Sequence, residues 1–185
     1  MKILLGSNSP RRKELLMDLG FDFSVVKIDC KENYPQNLPV SEIAGYLSEL
    51  KSSAYENLKE DEILLTADTI VVLNETVLGK PENEAQARQM LEKLSGKVHQ
   101  VFTGITVRTV EKTITQTDVA QVELEKISSE EIDFYIRNYE PFDKAGSYGI
   151  QEWLGMAKIS GISGSFFTIM GLPTHLVYQL LKDFK

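Results

Sequence analysis

The 185 residues carry 27 acidic against 20 basic side chains, a formal net charge of -7. That balance repels nucleic acid and anionic membranes, so neither is expected as a partner. With 42% hydrophobic residues the chain suits a single domain, 1–185, with a buried core, and nothing disordered or fibrous. The one cysteine, Cys30, can form no internal disulfide, and His99 and His175 lie too far apart for a zinc motif. No apolar run approaches the roughly 18 residues of a membrane span, and the run 2–6 is too short for a signal peptide. A cytoplasmic setting is expected.

In chain order, residues 2–6 form a short apolar strand. Ser9 then caps a helix with Pro10 at its first position, Leu15, Leu16 and Leu19 on its apolar face, and Gly20 as its stop. Alternation around Phe21, Phe23 and Val25 predicts a strand over 21–28, and the Pro-containing stretch 30–39 a loop. A helix over 41–57 places Ile43, Leu47, Leu50 and Ala54 on one face. The β-rich run 63–73 turns at Asn74-Glu75 into a short return. Asn83 and Gln86 match a capping box for a helix ending at Gly96, and 98–110 with 113–125 reads as a hairpin. Ser128 and Glu131 form a second capping box, for a helix over 129–138. The Gly-rich stretch 146–171 reads as β-like, and a final helix follows over 173–182. The fold class is α/β or mixed α+β, with a mixed sheet flanked by helices.

Three places carry chemistry. Arg11, Arg12 and Lys13 fill the first turn of the first helix, where the helix dipole disfavours cations. An anion bound there by free backbone N–H groups, by Ser7 and Ser9, and by the two guanidinium groups would reverse the sign. A phosphate fits, and three solvated side chains fit equally well. The glycine pattern is neither a P-loop nor a dinucleotide fingerprint. Gly79-Lys80 is followed by Pro81 and lacks a glycine at 74, and no two glycines are two residues apart.

The second place is Asp68, a carboxylate inside the apolar strand Leu64–Val72. Burial of an ionised carboxylate is costly unless it is paired or binds a metal, which makes Asp68 a candidate general base or Mg²⁺ ligand. Lys80 and Lys51 each read either as phosphate contacts or as solvated lysines, and Gly79 as a point of close backbone approach. The third place is Glu140–Gln151. Gln151 offers a donor and an acceptor that complement the N3–H and carbonyl edge of uracil or thymine. Trp153, Phe166 and Phe167 suit either base stacking or core packing.

In this order the segments resemble the Maf family of nucleotide pyrophosphatases. The resemblance is carried by Ser7-Asn8-Ser9-Pro10-Arg11-Arg12, Ala67-Asp68-Thr69-Ile70-Val71, Gly79-Lys80-Pro81, Leu94–Val101 with Thr103, Asp143-Lys144-Ala145-Gly146, Tyr148-Gly149-Ile150-Gln151 and Gly171-Leu172-Pro173. It implies two lobes around a cleft, a fold similar to inosine triphosphate pyrophosphatases, and hydrolysis between the α- and β-phosphates with a divalent cation, Mg²⁺ or Mn²⁺. It makes Asp68 the proton acceptor and assigns substrate preference to Arg11, Thr69 and Gln151. Phosphate contacts fall to Ser7, Arg12, Lys51 and Lys80, and a metal-side carboxylate to Glu32 beside Asp68. The Asp143–Gly146 and Ile150-Gln151 form resembles the branch acting on dTTP and UTP. Two positions depart from the family: Gly6 where Ala is frequent, and Glu152-Trp153 where Gly usually follows the glutamine. A regulatory nucleotide-binding module of cell division, without turnover, and a broader pyrophosphatase for non-standard nucleotides remain as alternatives. The sequence leaves the oligomeric state open, a homodimer included.

Overall fold

The computed structural model describes residues 1–182. The strands are β1 (Lys2–Leu5), β2 (Phe23–Val25), β3 (Glu62–Leu73), β4 (Thr76–Leu78), β5 (Val98–Arg108), β6 (Thr113–Leu124) and β7 (Ile159–Ser163). The helices are α1 (Pro10–Asp18), α2 (Val40–Ser53), α3 (Glu84–Leu94), α4 (Ser129–Tyr139), α5 (Trp153–Lys158), α6 (Phe166–Met170) and α7 (Thr174–Leu181). Among the described residues the strands form one mixed sheet in the order β2-β1-β3-β5-β6-β7, with β4 paired to β3. β1 is parallel to both β2 and β3, so both its edges are paired. Its residues Ile3, Leu4 and Leu5 are all buried, which is why it reads as an unbroken apolar run rather than an alternating one. The sheet and its flanking helices match the expected mixed α/β class.

The chain divides into two compact units. The first holds Met1–Thr69, Thr103–Asp118 and the chain from Gly171 onward, and the second holds Ile70–Phe102 and Val119–Met170. Strands β3, β5 and β6 each contribute residues to both. The core of the second unit gathers Leu91, Leu94, Val122, Ile132, Tyr135 and Leu154, all essentially inaccessible to solvent. Among the described residues no helix is long and apolar enough to cross a membrane.

Local signals held at both ends of α1, where Ser9 caps and Gly20 leaves the helix with φ 77°. The box at Ser128 and Glu131 closes reciprocally. The Asn74-Glu75 turn has φ 48° and 62°, as a tight hairpin between β3 and β4 requires. Four expectations need correction. The strand expected over 21–28 shrinks to β2, because only Ile3–Leu5 pair with it. Asn83 caps α3 alone, since the Gln86 side chain accepts instead from Glu82 N (2.9 Å). Helix α2 stops at Ser53, and its buried face is Ile43, Ala44, Gly45, Leu47, Ser48 and Ser52; Ala54 is exposed. The stretch 146–171 is about half helical, with β7 as its one strand. Apart from Gly161 in β7, its glycines serve as breaks and close contacts. Gly164 and Gly171 both have φ 108°, and a Cβ on Gly155 would lie 1.8 Å from the Ile150 carbonyl oxygen.

Candidate active site

The packing of α2 on the sheet creates the central ion cluster of the first unit. A Cβ on Gly104 of β5 would stand 2.3 Å from the Ala44 carbonyl, so the helix backbone lies directly on the strand. This approach buries Ser48, whose carbonyl accepts from Thr66 Oγ1 (2.8 Å) and whose hydroxyl donates to Thr106 Oγ1 (2.9 Å). Lys51 stands three residues after Ser48 on the same helix face, and Asp68 two residues after Thr66 on the same strand face. The Ser48–Thr66 contact therefore carries Lys51 to Asp68. The Lys51 ammonium donates to Asp68 Oδ1 and lies 3.1 Å from Glu32 Oε1. Asp68 is buried in mid-strand, not at a strand end, and its charge is met by Lys51. Lys51 is thus not a solvated lysine: two carboxylates converge on it.

Arg12 flanks Asp68 on both sides. Its Nε donates to the Gly171 carbonyl (2.8 Å), its Nη1 to the Ala67 carbonyl (2.8 Å), and its Nη2 to Thr69 Oγ1 (3.1 Å). Thr69 Oγ1 also lies 2.9 Å from Thr103 Oγ1. Ser7 Oγ accepts from Ser9 N (3.2 Å) and, at 3.4 Å, from Arg12 Nη1. Burial lowers the Arg12 pKa from its ordinary value; Asp68 opposes this and Arg11 adds to it. The guanidinium remains charged throughout the accessible range. Arg11, half-buried, adds like charge in the same turn, and no acidic residue occupies that turn. Cys30 lies in the field of the same groups. Desolvation raises its pKa, Lys51 opposes, and Glu32 and Asp68 add, so at neutral pH it is a thiol.

Ser7, Arg11, Arg12, Glu32, Lys51, Asp68 and Thr69 all belong to the first unit. Hydrogen bonds join Ser7, Arg12 and Thr69, ion pairs join Glu32, Lys51 and Asp68, the two groups adjoin at Asp68-Thr69 in β3, and the Arg11 charge acts on Arg12. Lys80 and Gln151 belong to the second unit, and both are exposed. The Lys80 loop is tied by the Gly79 carbonyl, which accepts from Gly146 N (3.0 Å). A Cβ on Gly79 would meet nothing within 4 Å, so close backbone approach is not the reason for that glycine. Trp153 packs edge-on against Phe134 and the second unit's core, whereas Phe166 and Phe167 are exposed and touch each other. The sequence reading missed the supporting roles of Ser48, Thr66 and the Gly171 carbonyl. Only the Gly171 break carried a signal. The Gly6 departure has a steric reason, since a Cβ there would lie 2.4 Å from Ile28 Cδ1 and 2.9 Å from Thr66 Cγ2.

Among the described residues no three His, Cys, Asp or Glu side chains form a metal-ligand group. A closed protein cage for a metal therefore does not fit. Asp68 and Glu32, which converge on Lys51, are a donor type that fits Mg²⁺, commonly held by one or two carboxylates with water and substrate phosphates completing its shell.

Comparison with known proteins gives a consistent picture. The fold is shared with the Ham1 protein of Staphylococcus aureus (TM-score 0.58, 14% identity, all of both chains). It is shared less closely with a HAM1 protein from Coxiella burnetii (TM-score 0.51, 13% identity, 99% of both chains). Sequence relatives are far nearer. A protein of Phocaeicola vulgatus named dTTP/UTP pyrophosphatase is 52% identical over 183 residues, 98% of this chain and 95% of its own. A protein of Bacteroides thetaiotaomicron with the same name is 49% identical over the same shares. The family profile described as Maf-like protein matches residues 2–184. With that match spanning nearly the whole chain, and the quoted motifs in their expected order within it, this chain belongs to the Maf family.

Proposed function

We propose that this chain is a cytoplasmic nucleoside triphosphate pyrophosphatase that hydrolyses dTTP and UTP, modified pyrimidine nucleotides included, to the monophosphate and pyrophosphate. Such an activity would serve a house-cleaning role. Family membership and the shared name of the relatives support the reaction and its substrates. The observation that carries the chemistry is the buried Asp68, held mid-strand by Lys51 and flanked on both sides by Arg12 contacts.

In this reading one Asp68 oxygen takes the proton of a water whose oxygen attacks the α-phosphorus. The bond from that phosphorus to the bridging oxygen breaks, and pyrophosphate leaves with the electron pair. Ser7, Arg11, Lys51 and Lys80 meet the phosphate charge. Arg12, expected on the phosphates as well, already serves protein acceptors at Ala67, Thr69 and Gly171, so its main task is to hold the strand around Asp68. A divalent cation, Mg²⁺ or Mn²⁺, held by Asp68 and Glu32 would neutralise charge on the phosphates. Thr69, Arg11 and Gln151 set base preference. For Gln151 the support is its exposure and its place in the Ile150-Gln151 motif.

The test is pyrophosphate release from a panel of nucleoside triphosphates with Mg²⁺ or Mn²⁺. Release led by dTTP and UTP is expected. Activity led by a purine or non-standard nucleotide would keep the reaction and overturn the substrate. Tight binding without release from any of them would replace the enzyme with a regulatory nucleotide-binding module.

A further inference from the structure

We propose that Glu152, with Tyr135 and Lys144, is the positioning device for the Gln151 amide and thereby a determinant of base selectivity. The inference rests on the reading of Gln151 given above. A glutamine that reads a base through one donor and one acceptor must be held closely, because an amide free to swing discriminates poorly. The Gln151 side chain is exposed, so that restraint has to come from its neighbours in the chain.

Those neighbours are fixed with unusual economy. Glu152 N donates to the Gly149 carbonyl (3.1 Å), which closes a turn around Ile150 and Gln151. The Tyr135 hydroxyl accepts from Gly149 N (2.9 Å) and donates to Glu152 Oε2. One hydroxyl thus pins both ends of the turn. Tyr135 is completely buried, and burial together with the Glu152 bond raises its pKa, so it stays a neutral donor. The other carboxylate oxygen lies 3.1 Å from Lys144 Nζ, which also contacts Asp143 Oδ1 at 2.7 Å. Lys144 is buried at 8% exposure, so its charge is committed to this pair. Glu152 stands at the N-cap of α5 yet makes no capping bond; its carboxylate is turned away from the helix toward the turn. A Cβ on Gly149 would lie 2.8 Å from that carboxyl carbon, so only glycine lets the carboxylate lie across the turn. Ile150 is buried, and its carbonyl is covered by the close approach of Gly155. Gln151 is left as the exposed residue of a turn clamped on both sides.

The test compares kcat/KM for UTP and GTP, with Mg²⁺, in wild type, Gln151→Ala, Glu152→Gln, Tyr135→Phe and the Gln151→Ala/Glu152→Gln double variant. Tyr135→Phe keeps the ring and its packing, so it reports on the clamp even if Glu152→Gln folds poorly. Both clamp variants should lose about tenfold on UTP and less than about twofold on GTP, narrowing the preference as Gln151→Ala does. The double variant should lose no more selectivity than Gln151→Ala alone, because both changes act through one amide. A merely structural role would lower Tm and leave the UTP/GTP ratio intact. An unchanged ratio in both clamp variants, with the ratio narrowed in Gln151→Ala, overturns the positioning role while Gln151 stands. An unchanged ratio in Gln151→Ala overturns both together.

Discussion

At the scale of single residues, the chemistry concentrates on a carboxylate in an apolar strand. Asp68 is tolerable there because Lys51 meets its charge, and Glu32 shares the same ammonium. Replacing Asp68 with Asn removes the proposed base while keeping its shape and one acceptor. Turnover should fall by roughly 10²–10⁴-fold with nucleotide affinity retained, as steady-state kinetics and a binding titration would show. Near wild-type turnover would exclude Asp68 as the base. Arg12 offers a sharper distinction. Lysine keeps the charge but cannot serve the carbonyls of Ala67 and Gly171 and the Thr69 hydroxyl together. Arg12→Lys should therefore lower kcat by about tenfold or more and change KM for UTP by less than about threefold. A raised KM with unchanged kcat would make Arg12 a phosphate ligand instead.

At the scale of elements, α2 shows how a helix can carry a lysine to a buried carboxylate by its least conspicuous face. The apolar spacing points to Ile43, Leu47, Leu50 and Ala54, but the face that packs includes Ala44, Gly45, Ser48 and Ser52. Small residues let the helix backbone sit on Gly104, and the Ser48 hydroxyl donates to Thr106 Oγ1 there. Gly104→Ala would drive a methyl group into the Ala44 carbonyl. It should cost about 1–3 kcal/mol or more, read from urea unfolding, and shift Lys51 from Asp68, so kcat/KM should fall as well. Full activity with full stability would show that α2 is not held at this point. The stretch 146–171 teaches the complementary lesson. Its glycines and β-branched residues suggest strands, but Gly146, Gly164 and Gly171 take positive φ and break the chain into short helical pieces.

At the scale of the whole molecule, stability has a built-in acid sensitivity. His99 is buried at 2% exposure with Nε2 on Tyr148 OH (2.7 Å) and no partner at Nδ1. Burial lowers its pKa from 6.5 to about 4. The native state therefore binds fewer protons at this group than the unfolded chain. Its contribution is complete above pH 6.5 and is lost progressively as pH falls from there toward about 4. Over that window the loss is on the order of 3 kcal/mol. His99→Gln should flatten the decline in unfolding free energy between about pH 7 and pH 5, measured by denaturant titration. The same slope in both proteins would assign the acid sensitivity to carboxylates.

The mixed α/β class, the caps at Ser9 and Ser128, the Asn74-Glu75 turn, the buried strand around Asp68 and the family are all legible in the amino-acid order. Each is a local or periodic signal: a capping side chain, a positive-φ turn, an apolar run, or an ordered set of short motifs. Packing is what brings Lys51 to Asp68, sets Arg12 against Ala67, Thr69 and Gly171, and closes Glu152, Tyr135 and Lys144 on the turn around Gln151. These contacts join residues 17 to 159 positions apart in all but the last of them. They follow from which helix face lies on the sheet and how closely glycine lets backbones approach, and neither is written in spacing alone.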